Sequence, residues 1–207
     1  MARNLRKFAT VADYQSAQLI KPAVSLIEAT DGVFFDQKEV VPTFGGFTVK
    51  YNIEDPTVDV QLFNGGGSSE SSSESGSGGG ALPTRMIVDG NEETPISTWR
   101  FETAGEHIVQ YEFEDNTVPQ EFLNSVRSAK EVIVGTDIVG IGSAAFNVKL
   151  TSATCLSTTP PSIADMSTFG GGKYGQSYLI YVPSSAENTY KTASIWASLA
   201  SRIQTIQ

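Results

Sequence analysis

The sequence predicts a mainly β chain with short helices, arranged as two modules. Three observations carry that expectation. Short runs rich in Val, Ile, Phe and Tyr alternate with polar residues between Gly, Asp and Pro punctuation. The segment GGGSSESSSESGSGGG, residues 65–80, interrupts the 207 residues. In the second half, phenylalanines stand at positions 122, 146 and 169, separated by 24 and 23 residues.

Residues 1–64 form the first expected module, a small N-terminal anchor. Thr10 and Asp13 are spaced as a capping box, with Asp in place of Glu. Val11, Tyr14, Ala17 and Ile20 then recur every three residues and give one apolar helical face, which Pro22 ends. VSLIEATDGVFFD reads as a hairpin around Asp31-Gly32, and FTVKYNI and VDVQLF as further strands. A module of this size buries only a modest core, so it is expected to lean on a partner or on its own copies.

Residues 65–80 contain seven Gly, seven Ser and two Glu, which cannot pack. As a flexible linker the segment would span roughly 20–24 Å root-mean-square. A long loop inside one domain is the alternative.

Residues 81–207 form the second module. RMIVDG and GEHIVQYEFED read as strands, and in the latter Val109, Tyr111 and Phe113 alternate with Gln110, Glu112 and Glu114. Ser184 and Glu187 are spaced as a capping box for a closing helix, whose apolar stripe would be Trp196, Leu199 and Ile203. Between these ends lies a repeat. Ten residues after each phenylalanine comes a strand-like position: Val132 in EVIVG, Leu156 in LTSATCL and Leu179 in YLIYVP. A period in the low twenties matches a short leucine-rich-repeat-like solenoid, in which each unit buries its face only by stacking. The expected repeat core is therefore Phe122, Phe146, Phe169, Val132, Leu156 and Leu179, capped by the C-terminal helix.

Charge and motifs exclude several classes. A net charge of −9 opposes binding to nucleic acid and to anionic lipid. No apolar run approaches the roughly 20 residues that span a bilayer, and the opening MARNLRKFATVADYQ lacks the apolar core of a secretory signal. Gly140, Gly142 and Ala145 spell a G-x-G-x-x-A phrase, but NVKLTSATCL behind it is a poor helix, so no dinucleotide site is expected. FGGGKYG lacks the Ser or Thr that a phosphate loop places after its Lys. His107, the one histidine, reads as a solvated strand residue, and Cys155, the one cysteine, as a small buried side chain. No catalytic constellation, metal site or cofactor is expected.

VIVGTDIVGIGSAAF resembles the BspA-type leucine-rich repeat, in the phrase Ile141-Gly142-Ser143-Ala144-Ala145-Phe146. The first unit, VPQEFLNSVRSAKEVIVG, lacks the Ile-Gly pair. KFATVADYQSA and PAVSLIEATDGVFFD are similar to N-terminal segments of virion proteins from tailed bacteriophages. Together the resemblances imply a head-fibre, tail-fibre or decoration protein, located in the virion and assembled in the host cytoplasm. Its N-terminus would grip capsid or tail proteins, with Arg3, Arg6, Lys7 and Tyr14 as anchoring candidates. Its repeats would be displayed toward a host-surface glycan or protein. Such proteins are usually homotrimers. Tyr174 is a candidate tip contact, with turn filling as the plainer reading. A bacterial cell-surface adhesin is the alternative function.

Overall fold

The computed structural model describes residues 6–7, 26–29, 32–35, 46–64, 82–170 and 178–206. The helix expected over residues 10–21, the Gly/Ser segment, and Arg3, Tyr14 and Tyr174 lie outside the described residues. The chain divides into two compact units, residues 1–43 and 44–207.

In the first unit, β1 (Arg6–Lys7), β2 (Leu26–Ala29) and β3 (Gly32–Phe35) form a three-stranded sheet. β2 and β3 pair antiparallel with Ala29 opposite Gly32, so the hairpin read from the sequence is present and Gly32 belongs to its second strand. β1 joins β2 in parallel, Arg6 opposite Ile27 and Lys7 opposite Glu28.

The second unit is mainly β. Its strands are β4 (Phe47–Ile53), β5 (Val60–Gln61), β6 (Arg85–Val88), β7 (Asn91–Glu93), β8 (Thr98–Trp99), β9 (Gly105–Glu112) and β10 (Thr117–Val118). They continue with β11 (Ala129–Val134), β12 (Gly140–Ile141), β13 (Ser152–Cys155), β14 (Ser162–Ile163), β15 (Leu179–Val182) and, after the helix α1 (Glu187–Thr192), β16 (Ile203–Thr205). One eight-stranded sheet runs β16-β15-β13-β11-β4-β9-β6-β7. From β11 to β16 all pairings are parallel, whereas β4, β9, β6 and β7 pair antiparallel.

β4 sits at the seam and overturns the division at the Gly/Ser segment. FTVKYNI alternates aromatic and β-branched residues, a pattern that suits a half-buried pleat. It pairs with both β9 and β11, placing Val49 opposite Val109 on one side and Val132 on the other. Phe47, Val49, Tyr51, Leu62 and Phe63 are fully buried in the same core as Phe146 and Ile180. Residues 46–64 therefore belong to the second unit, and the first module is 1–43 rather than 1–64. The Gly/Ser segment joins two parts of one unit, because a strand with partners on both edges cannot leave with the N-terminus.

The parallel half contains two ladders. One is β11-β13-β15-β16, the other β10-β12-β14. Val118, Ile141 and Ile163 lie opposite one another in the second ladder. Val118-Pro119 thus takes the place that Ile141-Gly142 has in the next unit. Gly142 is required there: an added Cβ would stand 2.4 Å from the Gln120 amide nitrogen and 2.8 Å from the Pro119 carbonyl carbon. An aromatic column fills the space between the ladders. Ring centroids are 5.0 Å apart for Phe63–Phe122, 5.1 Å for Phe47–Phe146, 5.4 Å for Phe146–Phe169 and 5.1 Å for Phe169–Trp196.

Several sequence expectations shift by small amounts. Val132 is buried as expected, but its partners in the rung are Ala153, Ile180 and Ile203, all buried. Leu156 and Leu179 are only half-buried and alternate to the other side of the sheet, so neither is repeat core. From Phe146 to Ala153 is seven residues, and from Phe169 to Ile180 is eleven, so the interval of ten does not hold. Phe122 is one residue out of step as well. With Val118 opposite Ile141, the place of Phe146 is taken by Leu123, and Phe122 matches Ala145. All four are buried.

The closing element is not one helix. Ser184 lies in a short 3-10 turn, and α1 starts without a side-chain cap, so the capping box does not form. Extended Ala193 ends α1, the 3-10 helix Ile195–Arg202 buries Trp196 and Leu199, and Ile203 opens β16. Trp196 donates its indole N–H to the Pro161 carbonyl at 2.8 Å.

Candidate functional site

The register places a row of side chains on the side of the large sheet away from the main core, where Ile87 and Thr48 are buried and the others are half-buried or exposed. Across seven strands it reads Ile87, Gln110, Thr48, Ile133, Thr154, Tyr181, Gln204. A second row reads Ile108, Lys50, Glu131, Ser152, Leu179. Alternation puts these side chains opposite to the core-facing Val49, Val132, Ala153 and Ile180. Lys50 and Glu131 pair at 2.9 Å, and both side chains are about a third exposed.

On the parallel strands this face is chemically uniform. Ile133, Leu156, Leu179 and Tyr181 interleave with Ser152, Thr154 and Gln204, and Glu131 is the charged residue among them. A solvated strand face ordinarily carries more charge, and a half-exposed tyrosine among aliphatics is a composition that favours contact. Leu156 and Leu179, expected in the core, are therefore part of this face. Strand-period counting would have assigned them, because Cys155 and Ile180 are their inward neighbours.

A second cluster surrounds the one imidazole. His107 shares its parity with Val109 and Tyr111, points inward and is 8 % exposed, so it is not the solvated residue expected. Ile108, its neighbour, is the exposed one at 37 %. Nδ1 of His107 lies 2.6 Å from Asp89 Oδ2, and Nε2 lies 2.9 Å from the Thr103 carbonyl and 3.5 Å from its hydroxyl. An Asp-His-hydroxyl order is the order of a nucleophilic triad. Here Nε2 faces the Thr103 carbonyl at the shorter distance, and the hydroxyl at 3.5 Å lies outside the range over which a base takes a proton, so the order is present without the geometry of an activated nucleophile.

The remaining candidates have structural roles. Asp165 accepts from the Ser143 hydroxyl at 2.7 Å and from the Ser167 amide at 2.7 Å, so these bonds hold its carboxyl below the usual range. Burial pushes the Cys155 thiol up to about 12. Glu112 pairs with Arg85 at 3.1 Å. Arg6 and Lys7 lie on β1 of the first unit. No helix among the described residues is long and apolar enough to cross a membrane. No protein-family model and no curated protein sequence matches the chain.

Proposed function

We propose that this chain is a structural protein of a bacteriophage virion, a fibre or decoration protein of head or tail. Residues 1–43 grip capsid or tail proteins, with Arg6 and Lys7 beside β2 and Arg3 and Tyr14 in the same segment. Residues 44–207 are displayed, and the chain assembles as a homotrimer. Within the displayed unit, residues 117–205 form a short leucine-rich-repeat-like solenoid. Two parallel ladders at intervals in the low twenties support that reading.

The observation that supports the proposal is the division of the chain into two compact units, the second carrying parallel ladders whose outer face has little charge. That face, centred on Tyr181, is the surface offered to a host-surface glycan or protein. Several copies on one particle would make weak contacts effective.

The test is incorporation. Residues 1–43 fused to a fluorescent protein should enter particles, and residues 44–207 alone should fold and stay out. Entry of 44–207 by itself would overturn the assignment. Mass spectrometry of purified particles should find the whole chain. Recovery from the cell envelope instead would favour the surface adhesin.

A further inference from the structure

His107 is held on both sides by groups that only accept. Nδ1 faces the Asp89 carboxylate at 2.6 Å, and Nε2 faces the Thr103 carbonyl at 2.9 Å. A neutral imidazole has one N–H and can satisfy one of them. The doubly protonated ring satisfies both. We propose that His107 is a proton-gated clasp holding the loop between β8 and β9 against the turn between β6 and β7, and that losing the Nε2 proton exchanges the Thr103 carbonyl for its hydroxyl.

The second state is already sketched in the geometry. Thr103 Oγ1 lies 3.5 Å from Nε2. Without its proton, Nε2 presents a lone pair that repels the carbonyl and accepts from the hydroxyl. Movement falls on the loop rather than on Asp89. Asp89 is fixed in a left-handed conformation, φ 49°, and its Oδ1 accepts the Ile108 amide at 2.8 Å. The loop also carries Phe101, whose ring centroid is 4.2 Å from that of the imidazole.

The surroundings leave Asp89 as the charged group in contact. Tyr51 of β4 lies opposite His107 in register, but its hydroxyl is engaged by Leu62 and Tyr111. Arg100 of the loop pairs with Asp59, and Glu102 and Glu106 are exposed. The clasp is closed while both ring nitrogens carry protons and loosens when Nε2 gives its proton up.

One histidine in the chain makes the test specific. The native protein, labelled with 15N at histidine, gives a single imidazole; its two nitrogens are followed from about pH 5 to about pH 9. Both should carry protons at the acidic end. On raising the pH, Nε2 should lose its proton while Nδ1 keeps its own, and the Thr103 and Gly105 amide resonances should move in step. Thr103→Ser should behave like the native chain. Thr103→Val, which has no hydroxyl to offer, should lose about 2–4 °C more of Tm across the same range. Loss of the proton from Nδ1, or a titration that leaves the Thr103 amide unmoved, would overturn the proposal.

Discussion

The antiparallel and parallel halves of the second unit share one core but distribute charge in opposite ways. Residues 44–116 hold thirteen acidic and three basic residues, whereas residues 117–207 hold five acidic and six basic. All of the chain's net charge of −9 therefore comes from the antiparallel half. The parallel half stacks equivalent positions one above another at about 4.8 Å. A charge repeated at one position would form a column of like charges, which is destabilising. Its columns accordingly read Thr117, Gly140, Ser162 and Val118, Ile141, Ile163. In the antiparallel half, neighbouring strands carry unrelated residues, so Arg85 can sit between Glu92 at 2.8 Å and Glu112 at 3.1 Å.

That comparison is broken most directly at the seam. Phe47 stacks on Phe146 from the parallel half and on Tyr111 from the antiparallel half. Phe47→Ala and Phe146→Ala should each cost about 3–5 kcal/mol in denaturant unfolding. Both should leave a single transition, because β4 pairs across the junction. Two separate transitions in either variant would show that the halves are independent bodies. Gly142→Ala should cost about 1–3 kcal/mol, since the added carbon meets backbone rather than a movable side chain. Gly90→Ala also strains the backbone, at φ 87°, but meets nothing within 4 Å, and thus separates strain from contact.

The same comparison explains what was legible in the sequence. The parallel half announced itself through its interval, since Phe146 and Phe169 lie 23 residues apart and stack 5.4 Å apart. Its exact register was hidden, because the segment after Phe169 is longer than that after Phe146, and a fixed interval cannot absorb both. The placement of β4 was not legible at all. Its alternation identified FTVKYNI as a strand, but nothing local says that it pairs with residues more than fifty positions away, across the Gly/Ser segment. Phe63 and Asn64 show how complete that crossing is. The Asn64 amide donates to the Phe122 carbonyl at 2.8 Å, as the Leu123 amide does to Ala145 at 2.7 Å and Phe146 to Thr168 at 2.9 Å. Asn64 thereby continues this series of hydrogen bonds from outside the parallel half, and its side chain adds bonds to the Glu121 and Asn124 carbonyls. At the candidate face, period-two alternation was sufficient information. For His107 the parity with Val109 was visible, but its acceptors depend on turns that bring Asp89 and Thr103 together.

The smallest expected effects come from titration and thiol chemistry in the parallel half. Asp165 caps the 3-10 helix Met166–Phe169 and ties it to Ser143 of the preceding unit. Its folded carboxyl ionises below the unfolded one, chiefly because the Ser143 hydroxyl bonds the charged form. The stability it adds is thus complete above the unfolded value of about 4 and is lost as pH falls through the folded value. Asp165→Asn should flatten this acid limb of a stability-against-pH curve by losing stability at neutral pH, because the amide keeps one accepting oxygen where the carboxylate offers two, to the Ser143 hydroxyl and to Ser167. Cys155 gives the complementary measurement. Its thiol, pushed to about 12 by burial, is almost entirely protonated near pH 8, and it faces the interior beside Tyr190. A maleimide reagent should label the native chain only as fast as it unfolds, and the Phe146→Ala variant correspondingly faster. Rapid labelling of the native chain would mean that the strand pair β13–β15 opens locally, and that the stack is held less tightly than its aromatic column implies.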